Sequence, residues 1–386
     1  IAAEDGTSTT VTITVNGQLY AATVDAAAGT WTVAVATSDL LADSSVAVSA
    51  TSIDAAGNAT TATATHGYSV DAIAPDLTVS VDPITSDNVI NAAESGASVD
   101  VTGAVSGEFN EGNAVTLTVN GVNYTGAVAA DGSWTITVAG SDLAAATSVD
   151  VSVATADAAG NSTTTTTTHG YGVDTTAPDL TVSVDSITAD NVINASESGA
   201  ETIAVTGVVT AETGAETTIT VTVNGQQYAA TVDAASGTWT VDVATGDLLA
   251  DSSVGVSATS TDAAGNATTT TTTHGYAIDT TAPELTVSVD SITSDNVINA
   301  AESGAETIAV AGAITAEAGA ETTITVTING QQYAATVDAA AGTWTVDVET
   351  SDLLADSSVA VSATSMDAAG NSTTTTASHA YGVDTT

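Results

Sequence analysis

The chain contains neither lysine nor arginine. Against that stand 46 aspartates and glutamates in 386 residues, a formal charge of −46 at pH 7 that four histidines cannot offset. The usual nucleic-acid footprint, which needs basic patches, is excluded, and docking to an anionic membrane surface is disfavoured. Salt bridges to Lys or Arg cannot hold this fold. Charge compensation has to come from solvent cations or from bound metal, and carboxylate oxygen is the ligand of hard cations such as calcium. Cysteine is absent too, which removes disulfides and thiolate metal sites. No apolar run is long enough to cross a bilayer as a helix, and no signal peptide is visible. Aromatics are scarce: four Trp, eight Tyr and one Phe.

What fills the chain is Thr, Ala, Val, Ser, Asp and Gly. Thr and Val are β-branched and suit strands. Low complexity of this kind raises the question of disorder, but the chain is 43% hydrophobic, in alternating patterns. That alternation argues for small packed cores.

Self-similarity sets the architecture. Trp31, Trp134, Trp239 and Trp344 are spaced by 103, 105 and 105 residues, and Asp-Ala-Ala-Gly-Asn recurs at Asp54, Asp157, Asp262 and Asp367 with the same spacings. A period of this length is that of a whole domain, not of a solenoid turn. Between copies stands a short acidic joint: Val70-Asp71-Ala72-Ile73-Ala74-Pro75-Asp76, Val173-Asp174-Thr175-Thr176-Ala177-Pro178-Asp179 and Ile278-Asp279-Thr280-Thr281-Ala282-Pro283-Glu284. Proline fixes its own φ and holds the preceding residue extended, so the joint is stiff. The joints cut the chain into repeats 74–176, 177–281 and 282–386, preceded by a partial repeat, 1–73. The partial repeat aligns with about 209 onward of 177–281 and has no counterpart of that repeat's first strand or most of its second. A sandwich without those strands is under-buried, and the chain reads as a piece of a longer array.

Within 177–281 the pattern predicts seven short strands and no helix. They are Leu180 to Val184, Thr202 to Val209, Thr217 to Val223, Tyr228 to Val232, Thr238 to Val243, Val254 to Thr259, and Thr268 to Thr273 running on toward Ile278. Asn224-Gly225 is a two-residue hairpin signal. The expected fold is all-β, a linear array of tandem Ig-like β-sandwich domains joined by short acidic Pro-containing linkers. The Trp is expected to anchor the core between the sheets.

Two clusters of oxygen-bearing side chains stand out. In such a sandwich the first strand starts at the pole where the last two strands turn. Asp262 and Asn266 are therefore expected near Asp179 and the joint acid Asp174. Their counterparts are Asp157 and Asn161 with Asp71 and Asp76, Asp367 and Asn371 with Asp279 and Glu284, and Asp54 with Asn58. Such a set is a plausible calcium site; the plainer reading is an ordinary turn, since Asp, Gly and Asn all favour turns. The second cluster is Asp185, Asp190, Asn191, Asn194 and Glu197, repeated as Asp82, Asp87, Asn88, Asn91, Glu94 and as Asp290, Asp295, Asn296, Asn299, Glu302. It only loosely matches an EF-hand loop, and a solvated acidic loop is the plainer reading. Several Ca2+ ions per repeat are expected. One His per repeat (His66, His169, His274, His379) with no second His or Cys nearby is no zinc site, and no catalytic arrangement is visible. The Thr runs, such as Thr163 to Thr168, suggest ice binding. One strand, however, offers only every second side chain to a face, and β-branching explains the runs more cheaply.

Taken together, VDTTAPDLTVSVDSITADNVINASES, VNGQQY, GTWTV and DAAGN resemble the bacterial Ig-like extender repeats of giant RTX adhesins, of the biofilm and ice-binding kind. The resemblance covers the three complete repeats and the partial one. It implies calcium-dependent rigid repeats, exported by type I secretion to the bacterial cell surface. These repeats would space a ligand-binding tip, bound to its target elsewhere in the parent protein, away from the cell. It implies no enzyme activity, no direct membrane insertion, a monomer, and the neighbouring repeats of the same chain as partners. The family's nonapeptide repeats and secretion signal are not in this sequence. The rival reading is that these repeats themselves bind a glycan or ice.

Overall fold

The computed structural model describes residues 1–386. The chain divides into two compact units, Ile1–Thr175 and Thr176–Thr386.

In the second unit, residues 177–281 form two facing sheets. One has the strand order Leu180–Val182, Thr202–Ala211, Thr238–Ala244, Thr231–Asp233; the other has Gln226–Ala229, Glu216–Val223, Ser253–Thr261, Ala267–Gly275. Every pairing within these two sheets is antiparallel. The alternation in sequence becomes alternation in burial. Along Thr202–Ala211 the inward residues Val205, Gly207 and Val209 are buried. Along Ala267–Gly275 every second Thr is exposed. Asn224 and Gly225 both take positive φ, 50° and 75°, as a tight hairpin turn with the strand twist requires.

Trp239 is 1% exposed and lies across Gly207, its register partner. A Cβ at Gly207 would stand 2.0 Å from the Ser183 carbonyl oxygen and 2.7 Å from the indole. The same glycine faces the same tryptophan at Gly103 with Trp134 and at Gly312 with Trp344. The indole N–H donates to the Ser183 carbonyl at 3.0 Å, and that of Trp344 to Ser288 at 3.0 Å.

Three features depart from the sequence expectation. The stretch Tyr228 to Val232 is not one strand. It splits at Ala230, so that Gln226–Ala229 belongs to one sheet and Thr231–Asp233 to the other, which stitches the sheets together. The acidic loop contains a strand, Val192–Ile193, paired in parallel with Ala277–Ile278. A five-residue helix, Thr245–Leu249, follows the Trp strand and buries Leu248 completely. A single helical turn and a two-residue strand are too short to show a period.

Residues 282–386 repeat this arrangement, with the parallel pair Val297–Asn299 and Gly382–Asp384. In the first unit, residues 74–175 form a similar pair of sheets with a longer first strand, Leu77–Val81, but the return strand Val122–Ala127 is unbroken and stays in one sheet, so the other has three strands. In 1–73 one four-stranded sheet is complete: Gln18–Ala21, Ser8–Val15, Ser45–Ile53, Ala59–Gly67. Only Thr23–Asp25 and Thr30–Thr32 face it. Its fully buried core is Val11, Ile13 and Val15, and Trp31 is left half-buried. Each repeat owns a separate core, drawn entirely from its own residues.

Candidate functional site

The Asp-Ala-Ala-Gly-Asn segment closes on itself. In the last repeat Asp367 Oδ1 accepts from the backbone N–H of Ala369 and Asn371 at 2.9 and 2.8 Å, and Oδ2 accepts from Asn371 Nδ2 at 2.9 Å. Gly370 takes φ 83° to complete the turn. These hydrogen bonds, the Asn371 side chain first, hold the Asp367 carboxyl below the usual carboxylate range. Asp157, Asp262 and Asp54 are held down in the same way by Asn161, Asn266 and Asn58.

Within each unit this turn reaches the joint. Asn161 Nδ2 donates to the backbone carbonyl of Asp71 at 3.1 Å, and Asn371 Nδ2 to that of Asp279 at 2.9 Å. The contact runs through the carbonyl of the joint residue, while the carboxylates cap their own backbone: Asp71 accepts from Ile73 N at 3.2 Å and Asp279 from Thr281 N at 3.1 Å. The joint strand is anchored on the other side, with Asp174 N donating to Ile90 O and Asp279 N to Ile193 O, both at 3.0 Å.

A glutamate that the motifs do not include also stands here. Glu108 Oε2 accepts from Asp76 N at 3.2 Å, and its own N–H donates to Asp76 O at 2.7 Å. Glu212 and Glu317 make the equivalent backbone bonds to Asp179 and Glu284. In the first unit Asp71, Glu108 and Asp157 rim one cleft of about 460 Å3, floored in part by Pro75 and Phe109. The recurrence of an acid one period apart at 108, 212 and 317 was the signal that could have found it.

The second cluster is spent largely on building its loop. Asp190 Oδ1 accepts from Val192 N and from Thr188 Oγ1, and these bonds, the Val192 N–H first, hold its carboxyl below the usual carboxylate range. Asn191, at φ 63°, accepts from Ile187 N, donates to Gly275 O and meets His274 Nε2 at 2.9 Å. Asn88 with His169 and Asn296 with His379 do the same, so each His pins the loop to the last strand. Asn194 and Glu197 form a reciprocal cap: Asn194 Oδ1 takes the N–H of Glu197, and Glu197 Oε2 takes that of Asn194. Asn91 with Glu94 and Asn299 with Glu302 repeat it. Asp87 and Asp295 copy Asp190. Asp82 and Asp185 accept from Thr102 and Thr206; Ala311 stands where that threonine would meet Asp290.

At the hairpin, acids outside both clusters are tied down too. Asp247, brought round by the short helix, accepts from the Tyr228 hydroxyl and from Asn224 Nδ2, and Asp251 takes Asn224 N. The carboxyl of Asp247 is held low chiefly by Tyr228.

The donor set fits calcium in kind: carboxylate and carbonyl oxygen, with no lysine or arginine to compete. In this arrangement no three acidic or histidine side chains are gathered tightly enough to grip one ion. Acids from the joint, from the end of a sheet strand and from the turn, Asp71, Glu108 and Asp157, line the same cleft.

Neither a family model nor a curated protein matches the chain. Solved structures do. A Ca2+-stabilized adhesin that helps an Antarctic bacterium reach out and bind ice is 47% identical, over 97% of this chain and 90% of that one, with a TM-score of 0.74. A 1.5-MDa bacterial ice-binding adhesin, studied for host cell surface retention, is 44% identical over 82% of this chain and 100% of that one, with a TM-score of 0.58. An immunoglobulin-like domain of the M. primoryensis ice-binding adhesin is 50% identical over 25% of this chain and 96% of that one, with a TM-score of 0.25. With identity at that level over nearly the whole chain, and with the sandwich, joint and turn in place, this chain belongs to the Ig-like extender repeats of large bacterial adhesins.

Proposed function

We propose that these repeats are a calcium-rigidified extender of a secreted adhesin on a bacterial surface. The observation that carries the reading is the cleft that Asp71, Glu108 and Asp157 line together, in a chain with no lysine or arginine. Calcium bound there would supply the positive charge that the sequence does not. Asp71, Glu108 and Asp157 would hold it, and the joint would be tied to the turn of the repeat that follows. The matched adhesin is itself Ca2+-stabilized, which supports the same reading. The role is structural and non-enzymatic. The extender acts as a monomer, is exported by type I secretion, and its partners are its own neighbouring repeats. The tip that binds a target lies elsewhere in the parent protein.

Equilibrium dialysis of the full chain tests the site. Asp71→Asn combined with Glu108→Gln should lower the calcium retained by one ion per chain. Unchanged retention would remove this cleft from the account, and no retention by the unaltered chain would remove calcium. Direct binding of ice or glycan by the Thr faces has less support, since facing hydroxyls already bond to each other, as in Thr259 with Thr269 and Thr364 with Thr374.

A further inference from the structure

We infer that Asn120 is a modification site: among the Asn-Gly hairpin turns of this chain, the one in 74–176 is poised to deamidate, by closure of the asparagine side chain onto the glycine that follows. The pairs are Asn16-Gly17, Asn120-Gly121, Asn224-Gly225 and Asn329-Gly330. Their asparagines take nearly the same φ, 48°, 49°, 50° and 50°. All of them are exposed, and nothing stands within 4 Å of a Cβ position on any of these glycines. Access of water and steric room therefore rank none of the turns above another.

What differs is the anchoring. Asn224 donates its backbone N–H to Asp251 Oδ2 and its Nδ2 to Asp247 Oδ1, both at 3.0 Å. Asn329 is held by Asp356 at 2.9 Å and Asp352 at 3.0 Å, and Asn16 by Asp43 at 2.7 Å and Asp39 at 3.1 Å. The acid on the backbone N–H is missing from 74–176. Asp43, Asp251 and Asp356 immediately precede the Ser-Ser that leads into Ser45–Ile53, Ser253–Thr261 and Ser358–Met366; at the same place before Ser148–Ala156 stands Ala146. Of the two carboxylate bonds Asn120 keeps one, to Asp142 Oδ1, and it is stretched to 3.4 Å.

The chemistry needs only water. Gly121 N attacks Asn120 Cγ. The N–Cγ bond forms, the Cγ–Nδ2 bond breaks, and ammonia leaves with the proton that the Gly121 N–H gives up. Water then opens the succinimide, at Cγ to give aspartate or at the backbone carbonyl to give isoaspartate. Ammonia goes out, water comes in, and nothing is oxidised or reduced. The ring cannot close while the turn is held, because the carboxamide has to leave its acceptor and swing over its own peptide bond. Deamidation therefore runs through a local opening of the turn. One hydrogen bond to a charged group is worth at least about tenfold in such an opening. The product in turn strains the hairpin. A carboxylate at 120 no longer donates to Asp142 and repels it, and isoaspartate adds a methylene to a turn that sits between the opposed residues Val119 and Val122.

The test incubates the full chain at mildly alkaline pH in millimolar calcium, so that any metal it takes is in place. Trypsin has no site in a chain without Lys or Arg. The digest uses pepsin, at an acid pH that halts the reaction, and mass spectrometry reads the Asn-to-Asp mass gain at each turn. Asn120 should convert at least about tenfold faster than Asn224 and Asn329. In urea the three should convert at similar rates, since each is followed by glycine. Ala146→Asp supplies the missing acid and should bring Asn120 down to the rate of the others. Asp251→Ala removes that acid from 177–281 and should raise Asn224 at least about tenfold. Equal rates at Asn120 and Asn224 in the folded chain overturn the inference, and so does a difference that persists in urea. Where Ala146→Asp disturbs its own repeat, Asp251→Ala decides alone: an Asn224 rate that it leaves unchanged overturns the inference as well.

Discussion

Replacing Gly207 by alanine should open the third repeat more than any conservative surface change. The added methyl would stand 2.0 Å from the Ser183 carbonyl oxygen and 2.7 Å from the Trp239 ring. The ring is 1% exposed and cannot swing out, and the Ser183 oxygen is backbone, already accepting the indole N–H at 3.0 Å. Relief therefore requires the first strand, Leu180–Val182, to lift from the sheet. Overpacking of a well-filled core costs about 1–3 kcal/mol, and with a backbone obstacle the upper end applies. A loss of about 3 kcal/mol corresponds to roughly a hundredfold change in the opening equilibrium. Hydrogen exchange read on peptides separates this repeat from its neighbours. The slowest amides of Thr202–Ala211 and Thr238–Ala244 should exchange about a hundredfold faster, while those of 282–386 stay as they were. Gly246→Ala is the control: nothing lies within 4 Å of its Cβ position, it sits in the short helix, and it should be neutral or gain up to about 1 kcal/mol. Exchange in Gly207→Ala indistinguishable from the parent chain would refute the packing argument.

Other outcomes follow from the same geometry. Gly225→Ala, at φ 75° with open space around it, should cost about 1–2 kcal/mol from backbone strain alone, measured by the same exchange. Acid should unfold the repeats: the Asp157, Asp262 and Asp367 carboxyls are held below their ordinary value by hydrogen bonds. Their stabilisation is therefore complete above the unfolded value of about 4 and is lost as pH falls through the lowered one. Circular dichroism against pH in chelator should show it. Base should act through Tyr171, Tyr276 and Tyr381, whose hydroxyls are pushed up to about 12 by burial. An unfolded tyrosine ionises near 10, so stability should fall between about pH 10 and 12. A tyrosinate absorbance rise centred near 10 in the folded chain would contradict this.

Much of the sandwich was legible because period-2 burial writes itself into the sequence. Val205, Val209 and their alternating threonines mark a strand whatever surrounds them. Asn224-Gly225 marks a turn because few other pairs accept two positive φ angles. The sheet switch at Ala230 was not legible, since the residues on either side alternate without a break. Val192–Ile193 reads as loop because two residues have no period, and its partner, Ala277–Ile278, is more than eighty residues away. The candidate sites were legible as residues and not as roles. Spacing places Asp367 and Asn371 in one turn at the joint, but it cannot say whether the carboxylate faces a metal or its own backbone. Nor does spacing tell that Asn191 is held by His274, or that Asp247 serves the hairpin through Tyr228.

Calcium dependence of melting is the most direct test of the account. Thirteen acids in 177–281 repel one another with no lysine or arginine to offset them. Mass action gives about 1.4 kcal/mol for each site when calcium is at ten times its dissociation constant. Several such sites would be a large share of the ~5–15 kcal/mol that holds a domain together. Calorimetry of the full chain should therefore show transitions that climb with calcium through the millimolar range. At fixed ionic strength they should fall back in excess chelator. Melting temperatures that are the same in millimolar calcium and in chelator would contradict the calcium-rigidified extender.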